Sequence, residues 1–499
     1  MPIVVFNEQI TTVPMGSLIS QLPLFQEIAA APCGGHGICG KCRVWAEGAL
    51  SPVSEEEQRL LTPHQLAEGM RLACRTRILG DAIIRTAPKN TSAKIRVEGD
   101  MPAISLSPLF SRYGVALDVG TTTLAARLYQ ADGQVLAEAA GLNPQSAYGA
   151  DVISRIEAAL KGEGGTLARL VRDAIDRLTA ELAAKAGIDS RGIDAMVITG
   201  NTVMLHLLTE TSVEPLSHAP FAAERLFGEC LTADSLALSS VSPRATVYLP
   251  PCVGAYVGAD LVTALLASDI CASDQTALLV DIGTNGEMAL YHNGTLTFCS
   301  TAAGPAFEGA GISMGMGGSE GAIDRVCLVN GRLSSHVIGG AKPVGICGSG
   351  VVDAIACLLD LELLDESGYL EEDPAVIESP VAINGADVRA VQLAKSAIHA
   401  GILTLLRTAG LSPKSVSNLS IAGGFGSYLN ISSACKIGLL PKSMQAAVRV
   451  IGNAALSGAA MLLLCKDLQK TCEGFAQGRV LELSTNPIFA DEYMEQMLF

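Results

Sequence analysis

Two stretches of this chain echo one another, and that repetition constrains the fold more than anything else in its 499 residues. Gly114-Val115-Ala116-Leu117-Asp118-Val119-Gly120-Thr121-Thr122-Thr123 has a counterpart in Leu278-Leu279-Val280-Asp281-Ile282-Gly283-Thr284-Asn285-Gly286-Glu287. Each reads as an apolar strand that ends in Asp, an aliphatic residue, Gly and Thr. A carboxylate at a strand tip can hold Mg²⁺ or its waters, or orient an attacking water. The glycine permits a tight turn, and Thr hydroxyls with exposed N–H groups can cradle phosphate oxygens. A single Asp-x-Gly-Thr is also ordinary turn chemistry. Two of them, opening two similar halves, imply a duplicated body that folds around a cleft.

The surrounding pattern agrees with an α/β body. Helical stretches are expected at 151–161 and 166–186, strands at 115–118 and 195–199, and a strand running into a loop at 277–284. A third element, 419–427, runs from an apolar strand into Gly423, Gly424, Phe425 and Gly426. Backbone without side chains there would let an adenosine lie flat; a plain strand-to-helix turn is the competing reading. No G-x-x-x-x-G-K-[ST] stretch is present. Three glycine-bearing stretches, 199–206, 302–318 and 346–350, suit either the cleft or tight turns.

A second, unrelated signal lies near the N-terminus. Cys33, Cys39 and Cys42 form a C-x5-C-x2-C pattern in a glycine-rich loop, and Cys74 follows at a distance. Small residues let backbone amides approach inorganic sulfide, so four such thiolates suit a [2Fe–2S] centre; a structural zinc site is the competing reading. Plant-type ferredoxins space the first pair one residue closer. His36 lies inside the loop but is not needed as a ligand. Short strands at 3–6, 10–13, 43–45, 71–77 and 82–86, a helical stretch over 17–30 and a capped helix start at Ser54 surround the cluster. Cys74 is expected on the 71–77 strand. The other ten cysteines show no ligand spacing and read mostly as buried small residues.

Charge excludes some functions. The net charge is −16, and it belongs to residues 113–499, since 1–90 are balanced. A sequence-general nucleic-acid binder needs the opposite sign. No apolar run reaches the ~18–20 residues that span a bilayer, and the N-terminus lacks a signal-peptide pattern, so a cytoplasmic protein without a membrane partner is expected. Pro88, Pro102 and Pro108 with several serines mark 88–112 as a linker. The domains are then 1–87, 88–112, 113–275 and 276–499.

The phosphate-type motifs resemble the acetate and sugar kinase/Hsc70/actin (ASKHA) superfamily, which has a ribonuclease H-like fold. Residues 118–123 match its first phosphate motif, 281–287 the second and 423–426 the adenosine motif. The cysteine spacing matches vertebrate-type and bacterial β-grasp ferredoxins. A [2Fe–2S] unit, a linker and an actin-like ATPase body together resemble the reductive activators of corrinoid-dependent enzymes. Gly200-Asn201-Thr202 with His206, and 304–309, share that likeness.

The resemblance implies an α+β ferredoxin-type domain followed by a duplicated α/β ATPase. It implies an enzyme that reduces inactive Co(II) to Co(I) in the corrinoid protein of a methyltransferase system, at the expense of ATP. Cys33, Cys39, Cys42 and Cys74 would hold the cluster, and Asp118 and Asp281 would manage Mg²⁺ and water. Gly120, Thr121, Thr122, Thr123, Gly283, Thr284, Asn285, Gly286 and Glu287 would line the phosphates, and Gly423, Gly424, Phe425 and Gly426 the adenosine. An external electron donor and a homodimer are also implied. The alternatives are a small-molecule kinase with a fused redox domain, and a ferredoxin-type carrier on a scaffold that binds ATP without hydrolysing it.

Overall fold

The computed structural model describes residues 1–7, 9–22, 24–25, 35, 37, 40, 42–61, 63–86, 99–425 and 428–499. The chain forms two compact units, Met1–Ser92 with Pro144–Lys161, and Ala93–Asn143 with Gly162–Phe499.

The first unit is built on a five-stranded mixed sheet, order β2-β1-β5-β3-β4, of β1 (Ile3–Phe6), β2 (Gln9–Thr12), β3 (Arg43–Leu50), β4 (Met70–Leu72) and β5 (Ile78–Arg85). β1 and β2 form a hairpin through Asn7 (φ 44°), a residue type that tolerates the left-handed turn. β1 then pairs parallel to β5, while β3 runs antiparallel to both β5 and β4. Alternation sorts the faces: Val4, Phe6, Val44, Ile78 and Ile84 are buried, and Ile3 and Ile83 face outward. Ile19, Leu22 and Phe25 close the core, with Phe25 edge-on to Phe6 at 6.3 Å.

Two expectations are corrected here. Of the helix expected over 17–30, the described residues show a 3-10 turn at Ile19–Gln21, with Leu18 bridging Arg77, and helical conformation at 24–25; 23 and 26–30 lie outside the described residues. The strand over 71–77 stops at Leu72, because the Arg75 and Thr76 N–H groups both bond back to the Leu72 carbonyl, at 2.9 and 3.0 Å. Cys74 therefore sits on a turn.

The second unit contains the repetition in three dimensions. One six-stranded sheet comprises β6 (Tyr113–Val119), β7 (Thr123–Gln130), β8 (Val135–Leu142), β9 (Ile193–Gly200), β10 (Glu229–Thr232) and β11 (Thr246–Leu249), in the order β10-β11-β9-β6-β7-β8. The other starts with the meander β12 (Ala277–Ile282), β13 (Gly286–His292) and β14 (Thr295–Thr301). Strand Asn418–Ala422 pairs parallel to β12 as β9 does to β6, and Val448–Gly452 lies beyond it as β11 lies beyond β9.

A helix follows each outermost parallel strand, Ala259–Ser268 in one half and Ala454–Leu464 in the other. The two pack backbone to backbone: a Cβ on Gly458 would stand 1.8 Å from the Thr263 carbonyl. The second helix is buried along its whole length. Residues 99–110 run along this same region, with Ser107 and Leu109 N–H groups bonded to Leu464 and Leu463 carbonyls at 2.9 Å each. Among the described residues, no helix is long and apolar enough to cross a membrane.

Candidate functional site

The duplicated strand ends bring carboxylates together. Asp118 lies one residue before the end of β6, and Asp281 one before the end of β12. Glu287 sits directly opposite Asp281 in the β12–β13 ladder, where like charges disfavour pairing. Asp260, in the first turn of Ala259–Ser268, joins them. Burial, then the Asp281 charge, pushes Asp118 up to about 7. Burial, then Asp118, does the same to Asp260, and burial with Asp260 and Glu308 the same to Asp281, each up to about 7. Glu287 is raised well above its ordinary value by burial and by Asp260 and Asp281, and its Oε1 is buried without a hydrogen-bond partner.

Four carboxylates, one with an orphaned oxygen, are the donor type that a hard divalent ion takes. Among the described residues, no three His, Cys, Asp or Glu side chains close on one point.

Asparagines position the first turn. Asn201 caps helix Thr202–Thr209 through its Oδ1 and donates from Nδ2 to Thr121 Oγ1 at 3.0 Å. Asn453 caps Ala454–Leu464 in the same way and donates to Asp118 Oδ2 at 3.3 Å. Asn143, fully buried, donates its side-chain amide to the Gly120 carbonyl and its backbone N–H to the Thr122 carbonyl, both at 2.9 Å. Gly120 closes its turn on the Thr123 carbonyl at 2.9 Å, where a Cβ would stand 2.7 Å from that oxygen. Glu308 then joins the halves: its carboxylate accepts from Thr122 Oγ1 at 2.6 Å and from Thr284 Oγ1 at 3.1 Å.

The glycine turn after Asn418–Ala422 reaches the same place. Gly423 has φ 98°, and a Cβ there would stand 2.7 Å from Asp281 Oδ1. Phe425 stacks on Phe307 with centroids 5.0 Å apart. Gly426 lies outside the described residues. Asp118, Asp281, Glu287, Thr121, Thr122, Thr284, Gly283 and Gly423 thus share one neighbourhood. Thr123 belongs to the strand β7, Asn285 closes the turn by accepting from Gly283 N–H, and the space beside Gly286 is filled by Thr301 and Ile398. Asp260, Asn143 and Asn453 carry no motif signal. Glu308 and Asn201 lay in stretches that the sequence left ambiguous.

The first unit has its own site. Cys42 and Cys74 are buried with their sulfurs 3.2 Å apart, longer than the ~2.05 Å of a disulfide. Ala73 N–H bonds to the Cys42 carbonyl at 2.8 Å, which fixes the two segments together. Gly37 has φ 71°, and a Cβ there would collide with Arg75 at 2.2 Å. Two convergent thiols beside a glycine loop fit a thiolate-held cluster. Cys33, His36 and Cys39 lie outside the described residues. Of the ten other cysteines, Cys230 and Cys327 are exposed, Cys271 is half-buried and seven are buried.

Behind Cys74, the buried carboxylate of Glu57 holds the turn. It accepts from Arg71 Nε at 2.9 Å, Leu72 N–H at 3.0 Å, the Thr76 hydroxyl at 3.0 Å and Ser54 N–H at 2.8 Å. Burial opposes that charge, but the hydrogen bonds from Arg71, Ser54 and Leu72 prevail and hold the group below its ordinary value.

Comparison with known proteins decides the family. The chain is 37% identical over 425 residues to the corrinoid activation enzyme RamQ of Eubacterium limosum, covering 78% of this chain and 70% of that one. This chain belongs to the RACo family of corrinoid-protein activators. Residues 113–273 match the RACo middle region, and 275–499 match the C-terminal domain of RACo, the ASKHA domain. The [Co(II) methylated amine-specific corrinoid protein] reductase of Methanosarcina barkeri is 25% identical over 71% of this chain and 70% of its own. A solved structure, a reductive activator for corrinoid, iron-sulfur protein, superposes on this RACo-family chain with a TM-score of 0.73 at 27% identity, covering 100% of this chain and 98% of that one. The sheet begun by β12, with Asp281 and Glu287, thus lies in the matched ASKHA domain, and the sheet of β6, with Asp118, in the matched middle region.

Proposed function

We propose that this protein is an ATP-dependent activase that reduces the inactive Co(II) form of a corrinoid protein to Co(I). The observation that carries the reading is the kinship at 37% identity with a corrinoid activation enzyme, over a length that includes most of the chain. The two sites give that reading its chemistry. In the second unit, Asp118 and Asp281, with Asp260 and Glu287, would hold Mg²⁺ and its waters, which supplies counter-charge to phosphate oxygens. Thr121, Thr122, Thr123, Thr284 and Asn285, with the backbone at Gly120, Gly283 and Gly286, would receive the phosphates. Gly423, Gly424, Phe425 and Gly426 would border the adenosine. Asn143, Asn201 and Asn453 position these groups without touching the reacting atoms.

In the first unit, the sheet order and the parallel β1–β5 pairing support a β-grasp ferredoxin-type domain. Cys33, Cys39, Cys42 and Cys74 would hold a [2Fe–2S] cluster, which supplies low-potential one-electron chemistry when bound. The chain's part there is to supply the four thiolates and to fix Cys74 through Glu57. A ~100 mV uphill transfer costs about 2.3 kcal/mol per electron, within reach of nucleotide-driven closure of the ASKHA cleft. Domains 1–87, 88–112, 113–275 and 276–499, a homodimer, an external electron donor and a cytoplasmic setting complete the proposal. The named relatives give the kinase alternative no added support.

The test is an anaerobic absorbance titration. Co(II) corrinoid protein is mixed with reductant and this protein, with and without ATP. Co(I) bands that appear only with ATP support the activase. Co(I) formed equally without ATP would instead make the chain a plain electron carrier.

A further inference from the structure

We infer that the Glu308 carboxylate stands where the terminal phosphate of a triphosphate binds, and that its displacement lets the cleft distinguish ATP from ADP. The inference rests on the nucleotide reading above and adds to it a residue that sets specificity. Glu308 is held by one hydroxyl from each phosphate turn, Thr122 from the first half and Thr284 from the second, and these two oxygens are 3.5 Å apart. A Thr hydroxyl has a single proton to donate, so it cannot serve a carboxylate and a phosphate oxygen at once. The two anions also repel, and Asp281 already feels the Glu308 charge. Gly283 makes room for the carboxylate: a Cβ there would stand 3.3 Å from Glu308 Oε1. An anion thus already occupies the point where the two halves converge.

The segment that carries Glu308 is one short turn, tied at its start by Gly304 N–H to the Thr284 carbonyl at 2.9 Å and seated at its end, at Gly309, on the Met316 backbone. Pro305–Glu308 is a single 3-10 turn between Gly304 (φ 79°) and Gly309 (φ 78°), and a Cβ on Gly304 would meet nothing within 4 Å. Phe307, the preceding residue, is buried and stacks on Phe425 with ring planes 15° apart. Withdrawal of Glu308 therefore pulls on a ring seated against the 423–425 turn. One short loop reads the phosphate end of the nucleotide and reports to the adenosine end.

The experiment is calorimetric titration of the full chain, with Mg²⁺, by a non-hydrolysable ATP analogue and by ADP, for the wild type, Glu308→Gln and Glu308→Ala. We expect Glu308→Ala to bind the analogue about tenfold more tightly while ADP affinity changes less than about threefold, with Glu308→Gln in between. Unchanged or weakened analogue binding in both variants would overturn the inference and leave nucleotide binding itself standing. Hydrogen exchange on the wild type needs no variant: residues 304–311 should exchange faster with the analogue than with ADP, and equal exchange would overturn it. If the wild type binds neither nucleotide, the nucleotide reading fails first and this inference falls with it.

Discussion

Glu57 in the first unit and the carboxylates of the second are all ionisable groups set among protein atoms, yet the fold treats them in opposite ways. Glu57 is fully buried and surrounded by donors: a guanidinium, two backbone N–H groups and a hydroxyl. Asp118, Asp260, Asp281 and Glu287 are left facing one another, and Asn453 is the side-chain donor that reaches Asp118. A satisfied buried charge fixes structure, whereas a charge deficit that the fold leaves open is a place for a ligand to bind. The first arrangement holds a turn in place for Cys74. The second stores repulsion that the proposed Mg²⁺ would relieve.

The largest expected effect is on turnover. Asp281→Asn should lower ATP-dependent Co(I) formation by about 100-fold or more, as removal of a positioned charged group in a reaction site does. The same variant should melt no earlier than the wild type, because it removes one of four crowded carboxylates. A clear drop in melting temperature would show that Asp281 is a structural charge like Glu57. The converse variant, Glu57→Ala, should cost about 3–5 kcal/mol in denaturant unfolding of the first unit, since it leaves Arg71 buried without its carboxylate. A loss below about 1 kcal/mol would break the contrast.

Acid should act on the two units in opposite directions. Asp118, Asp260 and Asp281 are held up to about 7 by burial and then by one another, so as pH falls through 7 the folded chain takes up protons that the unfolded chain takes up only nearer 4. His399, pressed down to about 4 by burial, opposes this but is one group against three. The second unit should therefore gain stability from about pH 7 to about pH 5, read as a rise in denaturant midpoint by circular dichroism, and a fall would contradict it. Glu57 is held below its ordinary value of 4.5, so its contribution to the first unit is lost only on further acidification. The smallest effect is at the caps: Asn201→Ala and Asn453→Ala should each cost about 1 kcal/mol in denaturant midpoint shifts.

The repeated strand–Asp–x–Gly–Thr turns were legible in the sequence because chemistry and period coincide there: an apolar run, a carboxylate and a glycine in fixed register. Asp260 and Asn453 were not, since each comes from the start of a helix distant in sequence, and helix starts carry Asp and Asn for capping alone. Cys74 was legible as a cysteine but not as a turn residue. The stretch Met70-Arg71-Leu72-Ala73-Cys74 alternates as a strand would, and only the bonds back to the Leu72 carbonyl, together with Glu57, end the strand. Glu308 could not be singled out, because what marks it is a pair of hydroxyls from two turns far apart in the chain.

The contact between Gly458 and the Thr263 carbonyl sets the kind of motion available to the ASKHA body. With no side chain between them, the two helices cannot slide past each other without driving backbone into backbone, and close-packed interiors yield little to such shear. Rotation about that point meets no such barrier. The two halves are thus coupled through a pivot and not a sliding track, and that pivot lies beside the phosphate turns: Thr263 Oγ1 meets Thr199 Oγ1 at 3.0 Å, and Thr199 pairs with Asp118.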